Sequence, residues 1–254
     1  MARLETFYRL EWEMSRRPDH LYAILYAASL AVLTAYALPY MPSVIPRLFQ
    51  RTLQIGTWAD IALFNLYAGT YVITLLASTV DLLRVWILPR EEGYLSLYLS
   101  KPVAPPEFLK ARFYPVLVNA TLIAAGSQAA AGLSVWHIIG PFDRTQFLWS
   151  SGLIIALILF LLCLFNWVFL YLRESYYGIV VAMTGWTVMM APASLYVYRP
   201  DLFSDAGRAI VFPANLLWYQ STIHTYRVPI LASLVLLSAL FVCVARLKMR
   251  RSGI

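Results

Sequence analysis

Few side chains in this 254-residue chain could do chemistry, and their spacing narrows what that chemistry is. The ionisable residues inside apolar runs are Asp60, Asp81 and Arg84. One reading makes them an ion or proton site. The local reading makes Asp81 and Arg84 an i,i+3 ion pair near the headgroups. It makes Asp60 a solvated or helix-N-terminal charge. His20, His137 and His224 sit near the ends of apolar runs and far apart in sequence, which disfavours a haem held between histidines. Cys163 and Cys243 lie inside apolar runs with neither zinc nor disulfide spacing, and read as small core side chains. An enzyme in the membrane needs clustered acids, a metal cluster or a nucleophile with its base. No such cluster stands out, so catalytic residues, a metal and a cofactor are not expected in this chain. Neither GxxxxGKS nor GxxxxGKT occurs, so ATP is not expected to bind here through a P-loop.

The elements that would position these residues are membrane spans. The chain is 61% hydrophobic and 13% charged, with a mean hydropathy of +0.67. A soluble domain carries about 25% charged residues. The expected fold class is therefore all-α and polytopic, with residues 1–254 forming one transmembrane domain. A span needs about 20 mostly apolar residues. Six fit: 21–41, 58–88, 113–135, 151–172, 177–196 and 228–245. A net charge of +7 could suit nucleic acid. The basic residues are instead spread between the spans, with a final cluster in "RLKMRRSGI", and no nucleic-acid partner is expected. With both termini in the cytoplasm, fourteen Lys and Arg fall on that side and six on the other, which is the positive-inside pattern. Within the fourth span, Leu157 reads as a lipid-facing leucine.

Two flanking segments complete the layout. Residues 1–20 read as an amphipathic helix in the interface rather than a cleavable signal, since Glu5, Glu11, Glu13 and Asp19 are acidic. Leu4, Phe7, Tyr8, Leu10, Trp12 and Met14 fall on one broad arc, and Arg9, Glu13, Arg16 and Arg17 fall opposite. Glu11 is a misfit on the apolar side. An ordinary polar lead-in is the rival reading. Residues 197–227 carry "FPANLLWYQST", too apolar for a free loop and too short to span, which suits a re-entrant segment.

The cytoplasmic segment 89–112 holds "REEGYLSLYLSKPVAPPEFLKAR". It is too short for a catalytic domain. Its uncharged centre places Leu95, Tyr98 and Leu99 on one face as a helix, or alternates Leu95, Leu97 and Leu99 as a strand. Either way an apolar face lies at the surface, and burial against protein or lipid would stabilise it. The segment looks built to dock, on its own neighbours or on a partner.

Here the chain resembles the membrane subunit of type 2 ATP-binding-cassette (ABC) transporters. Glu91, Glu92, Gly93, Leu95, Leu99, Ser100, Pro102, Val103, Leu109 and Arg112 stand at the steps of that family's motif. Tyr94, Tyr98, Ala104-Pro105 and Ala111-Arg112 depart from it. The motif covers about a tenth of the chain, and the hydropathy layout extends the resemblance to the rest. The resemblance implies a coupling helix that docks on a separate P-loop ATPase subunit, present in two copies. Its docking residues would be Glu91, Glu92, Gly93, Tyr94, Leu95, Tyr98, Leu99, Pro102 and Val103. Gly93 would turn the chain sharply, Pro102 would end the helix, and Pro105 and Pro106 suit the first turn of the third span. ATP and Mg would belong to the partner, and a second permease chain, identical or related, would complete a dimer. The expected location is the plasma (inner) membrane of a prokaryote.

Asn65, Asn119, Gln128 and Asn166 are polar residues within spans. They are candidates for a translocation path, although such residues more often hydrogen-bond neighbouring helices. Trp58, Trp136 and Trp149 read as interface belts. Two function classes stand: an ABC permease, by its resemblance an exporter, and a non-transporting anchor or assembly subunit of a larger membrane complex. An intramembrane enzyme is a third and weaker reading.

Overall fold

The computed structural model describes residues 2–15, 18–44, 47, 57–93, 104–184, 199–202 and 227–252. All regular structure among the described residues is helical. Helix α1 is Ala2–Ser15. Helix α2, Pro18–Ala37, begins on a proline, whose missing N–H would have no partner in a first turn anyway. A 3-10 turn, Leu38–Tyr40, extends it. Helix α3 is Trp58–Leu82. Thr57 caps its start: Asp60 N donates to Thr57 Oγ1 at 3.1 Å, and Thr57 Oγ1 donates to Asp60 Oδ2 at 2.6 Å. The two residues thereby satisfy each other at the helix start. Asp60 is thus the helix-N-terminal charge that the local reading expects.

The far end of α3 widens into a π turn, Leu83–Ile87, and closes with one α turn, Leu88–Glu91. Pro89 has no N–H to return to the carbonyl of Val85. Within the widened turn Leu88 N reaches back to Leu83 O. Gly93 ends the element with φ 76°. Glycine adopts this left-handed conformation without strain. The Gly93 N–H donates to Arg90 O at 3.2 Å. Helix α4, Pro105–Ile138, starts on Pro105 rather than at Phe113. Glu107, Lys110 and Arg112 lower the local hydropathy, but nothing in them interrupts a helix. At 34 residues it is about 51 Å long, more than the ~30 Å that a bilayer core requires. Helix α5, Arg144–Phe169, is capped by Asp143, whose Oδ1 accepts from Thr145 N and Gln146 N. Helix α6 is Ser175–Thr184 and helix α7 is Arg227–Ser252.

Among the described residues, five helices are long and apolar enough to cross a membrane: α2, α3, α4, α5 and α7. This is the architecture of a membrane-embedded helical protein. The sixth crossing expected at 177–196 is described only through α6, and residues 185–196 lie outside the described residues. The expected re-entrant segment likewise lies outside them, apart from Arg199–Leu202 and Arg227.

Helices α3 and α4 form the centre, with α2 and α5 against both, α7 against α5 and α4, and α1 against α4. Trp86, Phe108, Phe113, Phe165 and Phe169 are the large side chains at the core. Helices α2 and α7 are peripheral: only 22% and 11% of their apolar windows are buried, against 56% for α5. Leu157, expected to face lipid, is 1% exposed in the core. Helix α5 is apolar on every side, so its pattern has no phase from which a facing could be read.

Gly178 lets α6 approach the π turn. A Cβ there would lie 2.5 Å from Leu83 Cδ2 and 2.8 Å from Ile87 Cδ1. Gly178→Leu is expected to cost about 1–3 kcal/mol by overpacking. Gly152→Ala, where a Cβ meets nothing within 4 Å, is the control. Thermal unfolding in detergent checks both. Equal midpoints for Gly178→Leu and wild type would contradict the close contact.

Candidate functional site

The end of α1, the starts of α2, α4 and α6 and the far ends of α3, α5 and α7 gather at one end of the bundle. The described arms of the segment that sequence singles out, 89–93 and 104–112, lie among them. The first arm of that segment, 90–93, is tied to α5 and α6. Arg90 Nη1 donates to Phe169 O at 3.1 Å and Leu172 O at 2.6 Å. These carbonyls lie at and just past the end of α5, and Phe169 O also accepts from Leu172 N at 3.3 Å. A cation there also complements the helix dipole. Glu91 Oε1 accepts from Ser175 N at 2.6 Å and Ser175 Oγ at 2.9 Å. It thereby caps the start of α6. Neighbouring residues of opposite charge therefore hold the two ends of one turn. Glu92 is exposed.

The second arm, 104–112, is tied to α1 and α3. Arg112 Nε donates to Glu11 Oε2 at 3.2 Å, and both side chains are 7% exposed. Arg112 Nη1 donates to Val85 O at 2.8 Å. That carbonyl is the one Pro89 leaves without its usual donor. Tyr8 Oη donates to Glu107 Oε2 at 2.6 Å, and Lys110 meets Glu107 Oε1 at 2.6 Å. Burial, then the Glu107 carboxylate, raise the Tyr8 phenol above its ordinary pKa, so it stays a donor. On α1 the face toward the bundle is Tyr8, Glu11, Trp12 and Ser15, at helical spacing, while Leu10 and Met14 are exposed. The broad apolar arc is thus split, and the misfit Glu11 belongs to the packed face.

Asp81 and Arg84 do not pair with each other. Asp81 Oδ2 lies 2.8 Å from His20 Nε2, and Arg84 Nη1 lies 3.8 Å from Asp19 Oδ2. The start of α2 supplies both partners, an arrival that no i,i+3 rule can anticipate. At this same end Arg246 Nη2 donates to Tyr114 Oη at 2.7 Å, and Lys248 Nζ lies 4.6 Å from the Tyr171 ring. At the opposite end Arg144 covers the Trp136 ring at 4.4 Å, Arg227 covers Trp149 at 5.9 Å, and Phe142 and Phe147 pack together. That aromatic cluster fits the belt reading of Trp136 and Trp149.

Of the sequence-predicted docking residues, Glu91, Glu92 and Gly93 are described as above. Tyr94, Leu95, Tyr98, Leu99, Pro102 and Val103 lie outside the described residues. The four polar span residues serve separate contacts. Asn119 Nδ2 donates to Ser15 O at 3.1 Å. Asn166 Oδ1 accepts from Trp86 Nε1 at 2.8 Å. Each therefore joins two helices. Asn65 lines a cavity of about 480 Å³ between α2 and α3. Gln128 is 2% exposed, and neither atom of its amide has a hydrogen-bond partner. Sequence reasoning missed Glu11 and His20 as site residues. The signal was present for Glu11, as a carboxylate on the wrong side of an amphipathic helix. Among the described residues no group of three His, Cys, Asp or Glu is placed to hold a metal ion.

No protein-family model and no curated protein matches the chain.

Proposed function

We propose that the chain is the membrane-spanning permease subunit of an ATP-driven transporter of the type 2 ABC class, an exporter. It crosses the plasma membrane six times with both termini in the cytoplasm. It pairs with a second permease chain, and its 89–112 segment docks on a separate P-loop ATPase that binds ATP and Mg. The observation that carries the reading is the mounting of that segment. Its first arm is held by Arg90 and Glu91 across the α5–α6 turn, and its second by Arg112 on α1 and α3. A short segment held firmly at both ends passes on a rigid-body displacement without losing it to slack. The sixth crossing is supported by chain continuity. Helix α6 starts beside Glu91, and Arg227 lies beside Trp149 at the opposite end.

Two measurements test this. Cysteines placed singly at Ser204 and Ser252, with Cys163 and Cys243 removed, are expected to label from opposite sides of the membrane. Same-side labelling would overturn the six-span topology. Purification in mild detergent is expected to bring along a P-loop ATPase chain; its consistent absence would overturn the transporter assignment. One observation favours the alternative, a non-transporting anchor of a larger complex. Asn119 and Asn166 are engaged in helix–helix hydrogen bonds rather than turned to a shared channel. Substrate-stimulated ATPase activity of the reconstituted complex separates the two readings.

A further inference from the structure

A cavity of about 130 Å³ lies where α1, α3 and α4 meet. Its lining includes Glu11, Asp81, Arg84, Arg112 and Asn119, with Met14 beside them. Glu11, Arg112 and Asn119 are each 7% exposed and form its buried floor. Arg84 is 38% exposed in its side chain and forms the rim, with its carboxylate partner Asp19 at a loose 3.8 Å. Glu11 Oε2 is engaged by Arg112, but Glu11 Oε1 is buried with no hydrogen-bond partner. A buried carboxylate oxygen without a donor is costly, and native proteins rarely leave one so. The floor thus holds one carboxylate oxygen that lacks a donor, and the rim offers a guanidinium.

We propose that this cavity binds the zwitterion of a primary ammonium and a phosphate, the headgroup chemistry of an ethanolamine phospholipid. The ammonium donates to Glu11 Oε1, with Asp81 near it, and the phosphate meets the Arg84 guanidinium at the rim. The volume suits a small polar headgroup or a few waters. The site lies at the ends of two apolar, span-length helices, and the exposed Met14 and the side chains of Val85 and Val116 line it on the apolar side. A lipid whose chains run beside α3 and α4 presents its headgroup at this depth. The site does not depend on the transport reading.

The test uses the full chain, delipidated in detergent and titrated with phosphatidylethanolamine, phosphatidylcholine or phosphatidylglycerol, with binding and unfolding midpoint as readouts. Choline has no N–H, and the glycerol headgroup has no ammonium. Phosphatidylethanolamine is expected to bind at least about tenfold more tightly than either, the factor of one charge-assisted hydrogen bond. It is also expected to raise the midpoint. Glu11→Gln is expected to abolish the preference. Arg84→Gln, at an exposed position, is expected to weaken all three lipids alike, because each carries the phosphate. Leu236→Ala on α7 keeps both affinity and preference. Soluble phosphoethanolamine is the arm that distinguishes sources. Competition at equal concentration would support the chemistry with a soluble ligand, and failure to compete would support the lipid. Equal binding of all three lipids, a preference that survives in Glu11→Gln, or wild-type affinity in Arg84→Gln would overturn the proposal and leave the cavity to water.

Discussion

Arg112→Ala is expected to destabilise the protein by about 3–5 kcal/mol, the usual cost of removing one member of a buried ion pair. The physical reason is what remains. Glu11 would keep a charge at a site 7% exposed, with neither oxygen paired, and Val85 O would lose its donor beside Pro89. The readout is the unfolding midpoint in detergent, with protease cleavage of α1 as the local report. Helix α1 is expected to detach before the bundle melts, since Tyr8 and Asn119 would be left to hold it. Glu11→Leu combined with Arg112→Met is expected to recover much of the loss, because an apolar pair of similar volume replaces the ions. Recovery stays incomplete, because Val85 O still lacks a donor. A wild-type midpoint and unchanged α1 protection in Arg112→Ala would show that the pair holds nothing.

The same residues show what a sequence can and cannot disclose. The Thr57–Asp60 cap, the prolines that open α2 and α4, and Gly93 at the end of α3 are legible, because each acts on its own few neighbours. The spans are legible because hydropathy sums over many residues. Asp81 and Arg84 mislead because a helix neighbour is visible in sequence, whereas His20 and Asp19 arrive from another helix. The π turn leaves only Pro89 as a trace. Hydropathy places the start of α4 too late because it marks a span and not the helix that extends beyond it. Leu157 shows the limit most plainly, since uniform apolarity carries no direction.

The central claim is that the apolar face of the 89–112 segment docks an ATPase. Its leucines are expected to supply most of the contact energy. Burying one leucine side chain is worth roughly 1.5–3 kcal/mol, while an exposed charge pair usually gives under about 1 kcal/mol. Glu91→Ala is expected to act through its own fold by loosening the start of α6, since its carboxylate is engaged by Ser175. Leu95→Asp and Leu99→Asp would each force a charge into an apolar groove. The decisive measurement is pull-down of the ATPase chain with each aspartate variant at matched membrane expression, beside Leu236→Ala, a residue 71% exposed on the peripheral helix α7. The account predicts that both aspartate variants lose the ATPase and that Leu236→Ala retains it. Full retention by both aspartate variants would contradict it.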